Sequence, residues 1–421
     1  MNRKTRRPFE LRQVAFWAVS PFAFLGLCLV SIGQAQDDFV GPWEFRIRGE
    51  GYDIDFGVEL KKENDEWSGF LVNGEEQIPI PSTVVDPKSL TLEIPHYDSK
   101  LEFDVVRIQD GTPILNGVWK KRRSKTKWVT MKAQGSPGTS VIADPTAAKS
   151  FAGRWSVKFS KSDDLAVGIF EAKPDGKLQG TFLTTTGDYR FLAGSATGNT
   201  MKLSCFDGAH AFAFTATRQD DGSLNGDFWS SNTWHETFVA TRDEDAKLPD
   251  SFQQTLVNQK VRLSDFEFPN LDGEPVNLDA EQFRGKPRIV YVFGSWCPNC
   301  HDAAAYFSQM QKQYAKTDLA ILGIAFELTG DFERDAKQVK RYLERHQCTY
   351  PVLIAGTSDK KLASKTFPLL DRVRSYPTTI FIDRQGKVTA VHTGFSGPAT
   401  GEDYTRLKAA FEKNIAQIIQ K

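Results

Sequence analysis

Ile289-Val290-Tyr291-Val292-Phe293-Gly294-Ser295-Trp296-Cys297-Pro298-Asn299-Cys300 is the stretch that decides the fold of the C-terminal region. Its first five residues are a short apolar run rich in β-branched and aromatic side chains, the signature of a buried strand. Gly294-Ser295 ends that run, and Pro298 suits the first turn of a helix, where its missing N–H and fixed φ cost nothing. Two cysteines separated by two residues thus fall where a strand gives way to a helix, a placement made for dithiol chemistry. The unpaired N–H groups at the helix start favour an anion, so Cys297 is the expected attacking thiolate. Cys300, one turn inside, is expected to keep its proton until it resolves a mixed disulfide. The spacing lets the two sulfurs bond without backbone movement. A structural zinc site would need a second ligand pair, which His301 and Cys348 do not form, so no metal is assigned. Peroxidase chemistry would want a Thr three residues before a lone cysteine; Gly294 stands there, and a second cysteine follows.

From about Leu256 strands alternate with amphipathic helices, which reads as an α/β domain spanning 256–421. Strands are expected at Ile289 to Phe293, Leu319 to Ala325, Pro351 to Ile354, Thr379 to Ile382 and Val388 to Thr393. Helices are expected from Asn299 to Ala315, Asp331 to Gln347 and Glu402 to Ile419. Upstream the grammar differs. Short alternating segments such as Trp43 to Ile47 and Leu101 to Ile108, separated by Gly, Asn and Asp turns, read as all-β over residues 37–135. A Gly/Ser/Pro/Thr-rich stretch, Gly135 to Ser140, reads as a linker, and the all-β pattern restarts over 150–245. Gly41-Pro42-Trp43-Glu44-Phe45 recurs as Gly153-Arg154-Trp155-Ser156-Val157. Asp110-Gly111 followed by Leu115-Asn116-Gly117-Val118-Trp119 recurs as Asp221-Gly222 followed by Leu224-Asn225-Gly226-Asp227-Phe228-Trp229. These offsets, about 112 and about 109 residues, read as a tandem repeat. Each copy holds enough short strands to close into an antiparallel barrel or a sandwich, with Trp43 and Trp155 plugging the floor. The fold class is therefore multidomain: two tandem all-β modules followed by an α/β domain.

Arg3, Lys4, Arg6, Arg7 and Arg12 precede an apolar stretch from Val14 to Ile32 and the small-residue site Gly33-Gln34-Ala35, the three zones of an export signal covering residues 1–36. An uncleaved membrane anchor is the alternative, and either puts the rest of the chain outside the cytoplasm, periplasmic in a cell with two membranes. Cys28 reads as filler of that segment. The chain carries 53 Lys plus Arg against 53 Asp plus Glu, a formal net charge of zero. No large field of one sign exists to hold phosphate backbones, so nucleic acid is not an expected partner. The one dense basic run, Lys120 to Lys127, reads as a solvated hairpin tip.

The stretch from Phe268-Pro269-Asn270-Leu271-Asp272-Gly273, through Gly294-Ser295-Trp296-Cys297-Pro298-Asn299-Cys300, to Tyr376-Pro377-Thr378-Thr379-Ile380-Phe381-Ile382-Asp383 resembles the TlpA-like and ResA-like thiol-disulfide oxidoreductases of the thioredoxin superfamily. The resemblance covers roughly residues 256–421. It implies that Pro377 is a cis-proline facing the dithiol, that the backbone of Tyr376 can pair with an extended substrate, and that Trp296, Pro298 and Thr378 border the substrate. It also implies a family glycine at Gly394 and an acid near the dithiol at Glu327, which could relay the proton of Cys300. A solvated strand end is the plain alternative for Glu327. Tyr291 stands where cytoplasmic thioredoxin has a buried Asp, which leaves Glu327 as the nearby candidate acceptor.

The activity implied is extracytoplasmic reduction or exchange of disulfides in exported proteins, with a membrane thiol electron donor and no cofactor. A reading from another class makes the β modules a binding protein for a ligand or partner, with the redox domain accessory. Cys205, His210, His235 and Glu236 could in principle gather as metal ligands in the second copy. Trp229, Trp234, Phe206 and Phe212 read as barrel core or binding mouth, and Cys348 as a buried small hydrophobe.

Overall fold

The computed structural model describes residues 38–108, 111–138 and 144–420. The expected export segment with Cys28 lies outside them, as do Asp110 of the repeat and the end of the Gly135 to Ser140 stretch. Two large antiparallel sheets precede a mixed α/β domain, as the sequence implied.

The first sheet has nine strands and begins and ends in its own interior. Gly41–Arg48 pairs on one flank with Asp53–Glu63 and on the other with Trp128–Pro137, where Phe45 faces Gly135. Its edges, Glu76–Ile80 and Ser82–Asp86, are consecutive in the chain and flank Pro81. The alternation that marked these strands points Trp43, Phe45, Ile47, Leu90, Leu92 and Leu101 inward, each at most 1% exposed. A side chain of that size contributes roughly 1.5–3 kcal/mol when fully buried. Gly135 and Ser136, expected in a linker, are rungs of the ladder to Gly41–Arg48. Composition marks a flexible segment only where no neighbouring strand supplies hydrogen-bond partners.

The second sheet closes on itself. Leu165–Ala172 pairs with both Gly153–Phe159 and Leu178–Thr184, so eight strands form a ring without a free edge. A helix that the pattern did not reveal, Pro145–Phe151, leads into it. Asp144 caps this helix by accepting from the N–H groups of Thr146 and Ala147, and Ala148 and Phe151 enter the core. The two sheets share one local arrangement. Indole Nε1 of Trp43 donates to the Phe39 carbonyl and that of Trp155 to the Phe151 carbonyl, both at 2.9 Å. The intervening glycines, Gly41 and Gly153, have φ of 115° and 118°, which few other residues adopt.

The barrels are packed into each other. Phe206 of the second is fully buried in the core of the first, its ring 4.4 Å from that of Phe56 and 5.4 Å from Trp119. The Asn73 side chain holds the Phe206 backbone through two hydrogen bonds of 3.1 and 3.0 Å. Trp229 stacks on Tyr52 at 4.8 Å. Both residues therefore build the seam between barrels, whereas Phe212 packs in the core of its own barrel and Trp234 is 46% exposed.

In the α/β domain the strand order is Val352–Thr357, Ala320–Glu327, Arg288–Phe293, Thr378–Ile382, Val388–Thr393. The central strand runs parallel to Ala320–Glu327 and antiparallel to Thr378–Ile382. All six of its residues are buried, as expected of a strand covered on both faces. The helices are Pro298–Gln313, Phe332–His346, Glu402–Gln420 and a short, unexpected Lys360–Thr366. Phe411 of the last long helix packs against Tyr306, Phe307 and Phe381, joining helix to helix and helix to sheet. The small hairpin of Glu267–Pro269 with Pro275–Asn277 turns through Asp272-Gly273, as the sequence implied.

Candidate active site

The central strand delivers the chain to Gly294, and Cys297 then sits as the residue that opens the helix Pro298–Gln313, with φ −102° and ψ 114°. The Cys300 N–H closes the first turn on the Cys297 carbonyl at 2.9 Å. Cys297 is 7% exposed and Cys300 fully buried, and both are free thiols. Sγ of Cys297 donates to the Tyr376 carbonyl at 3.3 Å, and the Tyr376–Pro377 bond is cis. The N–H of Gly394 donates to the Pro377 carbonyl at 3.0 Å, tying the two loops together. Burial pushes the Cys300 thiol well up, and its hydrogen bond with Cys297 adds to this, so Cys300 is the sulfur that holds its proton.

The neighbouring side chains divide into those that border the dithiol and those that brace it. Trp296 borders it: Nε1 donates to the Phe326 carbonyl at 2.9 Å and its ring meets Tyr376 edge-on at 5.6 Å. Thr378 braces it instead. It is fully buried, and its hydroxyl donates to the Ser375 carbonyl at 2.9 Å, fixing the loop that carries the cis-proline. Tyr291 and Tyr342 converge from a strand and a helix, both donating to the Cys300 carbonyl, at 2.8 and 2.7 Å.

Glu327 is no solvated strand end. It is the last residue of its strand and fully buried, and burial drives its carboxyl up to about 7 against two bonds from Ser295. These come from the Ser295 N–H at 2.8 Å and hydroxyl at 2.7 Å. The carboxyl is thus held by Ser295, which lies two residues before Cys297 in the chain. Ser295 is also the partner of His301, whose Nε2 lies 2.8 Å from the Ser295 carbonyl while Nδ1 lies 2.7 Å from Nε2 of His346. Burial lowers His301 well below the usual histidine range and His346 to about 4, so both are neutral.

Both barrels press on this region, which sequence patterning did not show. Arg190 of the second barrel is 7% exposed and pairs with Glu76 of the first, with Asp207 of its own, and with Asp302 on the dithiol helix. Asp188 accepts from Asn299 Nδ2 at 3.2 Å and from the Gly397 N–H at 2.6 Å. Tyr97 of the first barrel lies edge-on to His301, and Lys121 donates to the Ala209 carbonyl at 2.6 Å. Lys121 thus belongs to the junction, Lys120 and Arg122 are rungs of the ladder to Trp128–Pro137, and residues 123–127 form the hairpin tip. The four residues considered as metal ligands do not converge. Cys205 is buried in its barrel, His210 binds Asp207, His235 binds Asp227, and Glu236 accepts from Trp234 and from the Lys161 N–H.

A buried central strand running into a dithiol helix, opposite a cis-proline loop, defines a thioredoxin-fold redox domain. The model of the AhpC/TSA family matches residues 258–391, which include both cysteines and Pro377. The thioredoxin-like protein YneN of Bacillus subtilis is 30% identical over 138 residues, covering 33% of this chain and 73% of that protein. The thiol-disulfide oxidoreductase ResA of Geobacillus thermodenitrificans is 28% identical over 142 residues, covering 34% and 73%. Among solved structures, a secreted disulfide oxidoreductase of Mycobacterium tuberculosis is covered over 99% of its length by 36% of this chain, at 20% identity and a TM-score of 0.28. The chain belongs to the TlpA-like and ResA-like thiol-disulfide oxidoreductases of the thioredoxin superfamily.

Proposed function

We propose that this protein works outside the cytoplasm, reducing or exchanging disulfides of exported proteins through Cys297 and Cys300. The Cys297 thiolate attacks one sulfur of the substrate disulfide, forms a mixed disulfide and expels one substrate thiolate, which takes up a proton. Cys300 gives up its proton and attacks the Cys297 sulfur, expelling the second thiolate. Two electrons pass to the substrate, and a Cys297–Cys300 disulfide remains for a membrane thiol donor to reduce. No step calls for a cofactor or a metal. The observation that carries this reading is the pairing of a Cys297 thiol aimed at the Tyr376 carbonyl with a Cys300 thiol that burial keeps protonated.

In this reading Glu327 receives the proton of Cys300, since a carboxyl near 7 can exchange protons at working pH. Pro377 and the Tyr376 backbone hold the substrate sulfur in line, Trp296 and Pro298 border it, and Thr378 positions their loop. Location outside the cytoplasm rests on the basic, apolar and small-residue zones of residues 1–36. We read residues 37–135 and 150–245 as tandem β modules and 256–421 as the redox domain. The matched Trp43 and Trp155 hydrogen bonds support the tandem copy. The test is insulin reduction by pre-reduced protein: Cys297→Ser should abolish it, and Cys300→Ser should accumulate a mixed disulfide visible by mass spectrometry. Equal rates for wild type and Cys297→Ser would refute the assignment.

A further inference from the structure

In a thioredoxin fold an extended substrate lays its backbone beside the residue preceding the cis-proline, next to the loop that carries Gly394. Here that groove holds a piece of the same chain. The turn joining Leu178–Thr184 to the short strand Gly187–Asp188 of the second barrel reaches across it. The Ser375 hydroxyl donates to the Thr186 carbonyl at 2.6 Å. At Gly394 an added Cβ would fall 2.9 Å from the Thr186 carbonyl carbon and 3.2 Å from the Thr185 oxygen, so the two backbones are in direct contact. Beyond the turn, Gly187 lies against the Asn299 side chain, and Asp188 holds Asn299 and the Gly397 N–H. A polypeptide cannot pair along this edge while Thr185 and Thr186 occupy it.

The outer flank of the same turn forms one wall of a cleft of about 650 Å³, comparable to ordinary ligand sites. Asp164, Thr185 and Thr186 line it on the barrel side, and Lys360, Lys361, Lys365, Arg372 and Arg374 on the other. Five cations thus face one carboxylate in a chain of zero net charge, and that carboxylate is engaged by the Thr185 hydroxyl at 2.9 Å. Arg374 pairs with Asp371, whereas Lys361, Lys365 and Arg372 make no ion pair among the described residues. A concave site lined by one sign of charge raises the local concentration of the opposite sign. The cleft adjoins the dithiol. Lys360 Nζ donates to the Arg374 carbonyl at 2.6 Å, and Arg374 is two residues, at most about 7 Å of chain, from the Tyr376 carbonyl that meets Cys297.

We propose that the second barrel sets the substrate class of the dithiol: its Thr184–Asp188 turn keeps extended polypeptides off the cis-proline groove, and the cationic cleft beside it admits disulfides that carry carboxylates. This rests on the redox reading above and narrows it. A polypeptide disulfide reacts only when the turn swings out, while a compact anionic disulfide reacts with the turn in place. The electrons come from the Cys297–Cys300 dithiol, which ends as a disulfide, and the substrate leaves as two thiols.

Single-turnover oxidation of the pre-reduced full chain tests this, with oxidised glutathione (anionic), cystamine (cationic) and insulin as probes. Each rate is divided by that of the same probe with a free alkyl thiol. Oxidised glutathione should exceed cystamine by tenfold or more at low ionic strength, and the ratio should fall toward one in about 0.5 M salt, where charges are screened within a few ångströms. Lys361→Glu with Lys365→Glu and Arg372→Glu, all surface changes, should invert the preference. Replacing Thr185-Thr186 by two glycines, which loosens the turn, should speed insulin reduction at least fivefold. Equal normalised rates for the two small probes, or no change of preference in the triple variant, would overturn the anionic assignment. Insulin reduction unchanged by the diglycine variant would overturn the role of the turn. A wild type that reduces none of the three probes would sink the redox reading itself, a different outcome from reduction without preference.

Discussion

Replacing Glu327 by glutamine should change how the redox domain responds to pH. The carboxyl is fully buried, and burial lifts it from the ordinary 4.5 to about 7. The unfolded chain ionises near 4.5, whereas the folded chain keeps the proton until about 7. Between those values the folded state binds more protons, so stability falls as pH rises through this window and levels off above it. The gap, 7 minus 4.5, at 1.36 kcal/mol per pH unit, is worth about 3 kcal/mol. The amide of the Glu327→Gln variant cannot ionise and should lack this slope. The variant also loses one of the two bonds from Ser295, about 1 kcal/mol. That loss shifts its whole curve downward without adding pH dependence. The measurement is hydrogen exchange of amides in Ala320–Glu327, corrected for intrinsic rates, at pH 5 to 8.5, which reports on this domain alone. The stability of wild type minus variant should fall by about 2.5 kcal/mol from pH 5 to pH 8.5, the rest of the gap lying below pH 5. A difference flat to within about 0.5 kcal/mol would mean that Glu327 is ionised throughout, and its part in proton transfer would fall with it.

Arg190→Met should cost about 3–5 kcal/mol, because Glu76, Asp207 and Asp302 would be left facing one another with no cation; a thermal midpoint equal to wild type would refute the ion-pair account. Trp43→Phe and Trp155→Phe each remove one buried indole bond, worth about 1–3 kcal/mol, and denaturant unfolding should show similar losses at the two sites. A large loss at one and none at the other would show that the shared arrangement is not a shared role. His346 is held neutral down to about 4, below the 6.5 of the unfolded chain, so the unfolded state binds the extra proton and stability is lost as pH falls from 6.5 to 4. His346→Gln should remove up to about 3 kcal/mol of that acid loss, and an unchanged acid limb would place the sensitivity elsewhere.

The sequence made legible whatever depends on local order. The run Ile289 to Phe293, the break at Gly294 and the proline at 298 are decided by near neighbours, and the strand, helix and dithiol fall where those residues imply. Trp43 and Trp155 could be matched because each repeats a local turn. Glu327 was readable only through family resemblance, because a charged strand end looks the same in sequence whether its neighbours bury it or leave it wet. Asp188, Arg190 and Thr186 gave no signal at all. Gly187-Asp188-Tyr189-Arg190 reads as an ordinary turn, and its roles come from surfaces of two other domains more than a hundred residues away in the chain. Phe206 is similar: its aromatic ring suggested a barrel core or binding mouth, but not that the core belongs to the neighbouring barrel. Gly135 was misjudged in the other direction, since a composition typical of loops was recruited into a ladder by a strand some ninety residues upstream.

The first sheet joins its opening and closing strands in the middle, with Trp43 opposite Pro137 and Arg48 opposite Lys132. The points where the chain enters and leaves therefore sit at the same end of one ladder. If one end is tethered and the other pulled away, the load falls on a single rung at a time, and the two strands peel apart like a zipper instead of shearing together. Such a connection yields at low force and recloses readily. A tether on the N-terminal side would thus load the seam of the first barrel, whose Tyr97 and Glu76 reach His301 and Arg190 beside the dithiol helix.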